Sequence, residues 1–143
     1  MRHIITMILA TITLMSAAAS AAQGIAGESE LLGTAWLAED IDGHGVIDRV
    51  RSTLEFPETG QVAGLAACNR YFGSVSLTGE TIAVGNLAST RKMCPESLMI
   101  QEQRFMATLS KANRLELTQE GQILLIYANN PTATLRLSRI LRK

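Results

Sequence analysis

Hydrophobic and polar residues alternate with a period of two over most of this chain, and the period switches to a helical one only once. Residues 51–56 alternate cleanly, with Thr53 and Glu55 on one side and Leu54 and Phe56 on the other, which predicts a half-buried strand. Residues 32–38, which include the single Trp36, and residues 61–67, 71–77 and 81–84 predict further strands. Turn-forming compositions separate them at 57–60 and at Gly79-Glu80. Residues 40–48, rich in Asp and Gly, predict a loop. After Cys94 the spacing changes. Pro95 suits a first helical position, where its missing N–H costs nothing, and Glu96 complements the positive end of the helix dipole. Leu98, Glu102, Phe105, Leu109 and Ala112 then recur at steps of three or four. This spacing predicts a helix to about Lys111 with an apolar face of Leu98, Phe105, Met106 and Leu109. The period of two returns at 114–118, 122–127 and 132–137, with turns at 119–121 and 129–131.

Short connections favour antiparallel pairing. A single amphipathic helix has only the sheet against which to bury its stripe. The expected fold is α+β: a curled antiparallel sheet or open barrel, of about seven to eight strands, packed around one main helix.

The first residues depart from this pattern. Arg2 and His3 give a positive start, residues 4–15 form an apolar run broken only by threonines, and Ala19-Ser20-Ala21 fits a small-residue cleavage site. The apolar run falls short of the roughly 20 residues needed to span a bilayer. Residues 1–21 are therefore expected to be a signal peptide, with an uncleaved anchor as the alternative. Residues 22–30 are expected to be a flexible leader, and 31–143 one domain. No later stretch is apolar and long enough to cross a membrane, so an exported domain, soluble after cleavage, is expected, as a monomer. Lys and Arg number 13 and Asp and Glu number 13, so net charge draws the chain neither to nucleic acid nor to an acidic membrane. One Trp, two Tyr and three Phe are too few for an extended platform on which bases stack.

Candidate chemistry centres on the only two cysteines, Cys68 and Cys94. An oxidising compartment favours one disulfide between them, joining a strand end to the helix start. Two reduced, buried thiols are the alternative. A redox site lacks its C-x-x-C arrangement, and zinc lacks its paired ligand spacings. Asn69, Arg70, Arg91 and Lys92 flank the cysteines. With the disulfide formed, the cations would gather as a small anion or partner site, or pair with local carboxylates and carbonyls. Asp40, Asp42 and Asp48, with Gly45 between them, imitate a calcium loop, but His44 and Arg51 stand where oxygen ligands are needed. A solvated turn is the stronger expectation there. His44 is the only histidine beyond the targeting segment, and Glu96 and Glu102 are expected to face solvent, so neither a nucleophile–base pair nor a carboxylate pair can be argued. No cofactor is expected.

The motifs Leu32-Gly33-Thr34-x-Trp36, Phe56 followed by Gly60 and Gly64, Ala67-Cys68-Asn69-Arg70-Tyr71-Phe72-Gly73, Ser89-Thr90-Arg91-Lys92-Met93-Cys94 and Glu102-x-x-Phe105-x-x-x-Leu109 resemble those of the META-domain family, also called the HslJ-type family. Two positions depart from it: Ala67 stands where the family often has Gly, and Lys92 where Met is common. The resemblance implies a sheet curled around one helix in an exported, periplasmic or envelope-attached bacterial protein. It also implies a link, for some members, to heat shock and novobiocin resistance. It carries over no catalytic residues. The expected function is therefore non-enzymatic support of the envelope under stress, through binding an envelope protein or a small apolar ligand. The alternatives are a disulfide-stapled inhibitor or partner of a cell-wall or proteolytic enzyme and, behind it, a hydrolase.

Overall fold

The computed structural model describes residues 27–141, so the expected signal peptide and most of the leader lie outside the described residues. One helical turn, α1 (Glu28–Leu31), precedes the strands β1 (Ala35–Ile41), β2 (His44–Gly45), β3 (Thr53–Glu55), β4 (Gln61–Leu65), β5 (Arg70–Thr78) and β6 (Thr81–Ser89). The helix α2 (Glu96–Ser110) follows, and then β7 (Arg114–Thr118), β8 (Ile123–Tyr127) and β9 (Leu135–Arg139). All pairings are antiparallel, in the order β2-β1-β3-β4-β5-β6-β7-β8-β9. The barrel is closed rather than open. β1 also pairs with β9, from Trp36 opposite Arg139 to Ile41 opposite Leu135. The β1–β9 pairing removes the free edges that these two strands would expose in an open sheet. β2 sits outside the ring as the return strand of a hairpin with β1.

Structure starts slightly earlier than the sequence pattern suggests. Residues 28–30, expected in a flexible leader, form the helical turn that delivers Leu31 into the core. The following motif is a small hydrogen-bonded relay. Thr34 Oγ1 donates to the Leu31 carbonyl and accepts the Trp36 indole N–H at 2.7 Å, so the polar edge of a fully buried indole is satisfied. β1 then runs from Ala35, three residues later than the alternation implied.

Trp36, Leu54, Phe56, Tyr71, Leu115, Leu124, Ile126, Leu135 and Leu137 line the barrel interior, and Phe105 and Leu109 of α2 complete the same core. The Tyr71 and Phe105 rings tilt at 60° with centroids 5.7 Å apart. The Tyr71 hydroxyl donates to the Thr53 carbonyl at 2.7 Å. The core-facing residues of α2 are Gln101, Glu102, Phe105, Thr108 and Leu109, whereas Leu98 and Met106 are only half-buried. The helix is thus rotated from the purely apolar face expected, and three polar side chains, Gln101, Glu102 and Thr108, are buried with it. Pro95 lies one position before the helix and supplies its carbonyl to the N–H groups of Leu98 and Met99.

β6 runs five residues beyond its expected end. The register against β5 shifts between Gly73 and Val75, where a bulge breaks the alternation. A Cβ at Gly73 would lie 2.8 Å from the Asn86 carbonyl oxygen, so glycine lets the two strands meet there. β6 touches β7 through a single residue pair, Thr81 and Arg114. Beyond Ile82, whose N–H reaches the Asn113 carbonyl, the two strands separate and α2 packs beside β6 instead.

Candidate functional site

The two cysteine segments meet as expected. Cys68 and Cys94 are joined by a disulfide with 6.1 Å between their Cα atoms, linking the β4–β5 turn to the residue before Pro95. Ala67, just ahead of it, has a φ of 139°. That positive φ turns the chain so that two successive N–H groups, of Cys68 and Asn69, point to the same acceptor, Glu102 Oε2, at 3.0 and 2.6 Å. Glu102 Oε1 accepts Asn69 Nδ2 at 2.8 Å. Glu102 is 8 % exposed, which corrects the expectation that it faces solvent. It is the one buried carboxylate among the described residues, and three N–H donors offset its desolvation.

Asn69 is also corrected as a candidate ligand. Its side chain is buried and already committed: Oδ1 accepts Thr90 Oγ1 at 2.9 Å and the Lys92 N–H at 2.7 Å, while Nδ2 also reaches the Lys92 carbonyl. No capacity remains for a bound molecule. Arg70 and Arg91 are exposed beside this network, as is Lys92. The Arg70 carbonyl accepts the Thr90 N–H at 3.0 Å, so residues 90–92 run along the start of β5.

Two of the three candidate aspartates, Asp40 and Asp42, belong to a hairpin. Asp42 and Gly43 both have positive φ, 54° and 75°, and make the two-residue turn of the β1–β2 hairpin. Asp40 Oδ1 accepts the Gly43 N–H at 2.8 Å. Asp40, Asp42 and Asp48 do not converge, and no cluster of three or more metal-ligating side chains exists among the described residues. His44 Nδ1 lies 2.9 Å from the Asp42 carbonyl within the same turn.

Gln101 is a second polar residue whose role the sequence left unread. Its Oε1 accepts the Ile47 N–H at 2.8 Å and its Nε2 donates to Ser52 Oγ at 3.1 Å. Ser52 in turn donates to the Ala66 carbonyl. Gln101 and Glu102 thereby tie α2 to the segment before β3 and to the β4–β5 turn. Their signal was their register with Phe105 and Leu109 in the helical repeat.

The separation of β6 from β7 opens a groove against α2, of about 520 Å³, lined by Val84, Asn86 and Leu87 of β6 and by Gln103, Met106 and Ser110 of α2. No charged side chain lines it. Ile82 directs its N–H toward β7, so alternation along the strand turns the main-chain groups of Val84 to this same edge, where no β7 residue pairs with them. A larger depression, about 610 Å³, surrounds the 119–121 turn but carries Glu30, Glu120 and Arg139, a wet and charged lining. The helix–sheet groove is the better candidate for an apolar ligand.

Two solved structures share the fold. An NMR structure of a protein from Burkholderia xenovorans has a TM-score of 0.68 at 21% identity, with 99% of each chain covered. A second NMR structure has a TM-score of 0.61 at 24% identity, covering 77% of this chain and 92% of the other. No curated protein matches. The META domain family model matches residues 29–139, which contain the barrel, the α2 helix, the disulfide and the Asn69–Glu102 network, and the chain therefore belongs to the META domain family.

Proposed function

We propose that this protein is a non-enzymatic binding domain of the bacterial envelope, holding a small apolar ligand or an apolar element of an envelope protein in the groove between α2 and β6. The observation that carries this reading is the groove itself. It is uncharged, its sides are a helix and a strand of a rigid barrel, and Val84, Leu87 and Met106 present apolar surface around main-chain groups that no β7 residue pairs with. Met106 adapts readily to ligand shape because its side chain is unbranched and polarizable. The buried Glu102 supports a binding role over a catalytic one, because all its bonding goes to holding the fold together. The disulfide is compatible with an oxidising compartment. Membership of the META family favours a part in tolerance of heat and of novobiocin.

The test has two arms. NMR titration of the domain with detergent monomers or acyl chains should shift the amides of Val84, Asn86 and Leu87, and Met106→Glu should abolish those shifts without unfolding the protein. A strain lacking the protein should lose survival under heat, detergent or novobiocin. Normal survival would remove the envelope-stress role, and unshifted amides would remove the groove.

A further inference from the structure

The balanced net charge conceals a local gathering of cations beside exposed apolar side chains. Phe72 is 65 % exposed and Met93 is 88 % exposed, two of the most exposed large apolar side chains among the described residues. Each belongs to one of the disulfide-linked segments. Arg70 lies two residues before Phe72 on β5, so both side chains stand on the outer face of the barrel. The cross-strand neighbours of this pair are Leu65, Ala63 and Ala88, with no carboxylate among them. Arg91 and Lys92 immediately precede Met93 and are exposed. The ion pairs Arg114 with Glu116 and Arg136 with Glu39 involve none of these three cations.

The bracing of this surface is extensive. The Thr90 N–H bonds the Arg70 carbonyl, Asn69 grips both main-chain groups of Lys92, Glu102 holds Asn69, and the disulfide fixes Cys94 next to Met93. Exposed apolar and cationic residues held in one geometry lose little entropy when they dock. None of the grooves described above is lined by Arg70, Phe72, Arg91, Lys92 or Met93, so the surface suits a broad partner rather than a small molecule.

We propose that Arg70, Phe72, Arg91, Lys92 and Met93 form a docking surface for an anionic lipid membrane, separate from the α2–β6 groove. The cations meet lipid phosphates, and Phe72 and Met93 enter the boundary between headgroups and acyl chains. Charge complementarity selects the anionic bilayer, and the two protruding apolar side chains favour lipid over a hydrated acidic polypeptide.

The experiment is co-sedimentation of residues 22–143 with vesicles. This segment carries every described helix and strand, which lie between Glu28 and Arg139. Binding is expected to vesicles containing phosphatidylglycerol, to weaken with salt, and to be absent with phosphatidylcholine alone. Each Arg or Lys changed to Gln should weaken it about fivefold. Phe72→Ser with Met93→Ser should weaken it about tenfold or more. These positions are exposed, and an unchanged NMR spectrum elsewhere confirms that the variants fold. Equal binding to neutral vesicles, no binding to either, or full binding by the variants would overturn the proposal. Retention by poly-glutamate but not by vesicles would overturn it in favour of an acidic protein partner.

Discussion

Asn69 and Glu102, thirty-three positions apart, meet through two hydrogen bonds: the Asn69 main-chain N–H donates to Oε2 at 2.6 Å, and its side-chain amide donates to Oε1 at 2.8 Å. This contact joins the β4–β5 turn, the 90–92 segment and α2 at one end of the barrel. Glu102→Gln should therefore be costly despite its similar shape. One carboxylate oxygen becomes an NH₂ group facing N–H donors, and bonds to a charged acceptor contribute roughly 1.5–3 kcal/mol each. Urea unfolding should show a loss of about 3 kcal/mol or more. A loss below 1 kcal/mol would mean that the network does not brace the fold.

Ala67 should respond in the opposite direction. Its φ of 139° lies in a region that glycine enters freely and alanine enters at a cost of about 1–3 kcal/mol. Part of any gain is returned through the more flexible unfolded chain. Ala67→Gly should raise stability by about 1 kcal/mol, read as a higher urea midpoint with an unchanged slope.

Removal of the disulfide should cost more than a local effect. The cysteines are 26 positions apart. Closing a loop of that size restricts the unfolded chain by about 3 kcal/mol. Cys68→Ser with Cys94→Ser should lower stability by that order. Intact mass with and without reductant should differ by two hydrogens in the parent protein and not at all in the variant.

Alkaline pH should expose the buried tyrosine. Burial, reinforced by the negative charge of Glu55, holds the Tyr71 hydroxyl well above its ordinary pKa of 10.0. The folded protein therefore keeps a proton that the unfolded chain releases above pH 10. Below that pH the Tyr71 contribution is complete, and above it stability falls by about 1.4 kcal/mol per pH unit. Tyr71→Phe should remove this slope, leaving the smaller share of Tyr127, whose pKa is also raised, by burial and by its bond to Glu116. At neutral pH the same variant should lose about 1 kcal/mol, because the Thr53 carbonyl loses its partner.

The alternation of residues 51–56, the turn at 119–121, the switch to a helical period after Pro95 and the pairing of two cysteines were all legible in the chain, because each rests on local spacing or on having one possible partner. Barrel closure was not, since pairing of β1 with β9 joins the two ends of the fold and leaves no mark on either strand alone. The same holds for β6, whose extra residue between Val84 and Leu87, opposite Ser74 of β5, hides its last five residues from any period-two reading. The Asp40–Asp48 segment carried its hairpin in Asp42-Gly43, a turn signal obscured by the aspartate spacing.

Sequence alone thus determined the α+β composition, made one disulfide the favoured cysteine state and carried the family resemblance. Tertiary structure decided what the polar residues do. Glu102 stands in register with Phe105 and Leu109, yet spacing cannot say whether a carboxylate on a helical stripe meets water or a cluster of N–H groups. That depended on a turn some thirty residues earlier being folded back by Ala67 and held by Cys94. Burial of a charge is set by the partners assembled around it, and those partners come together only when the barrel closes.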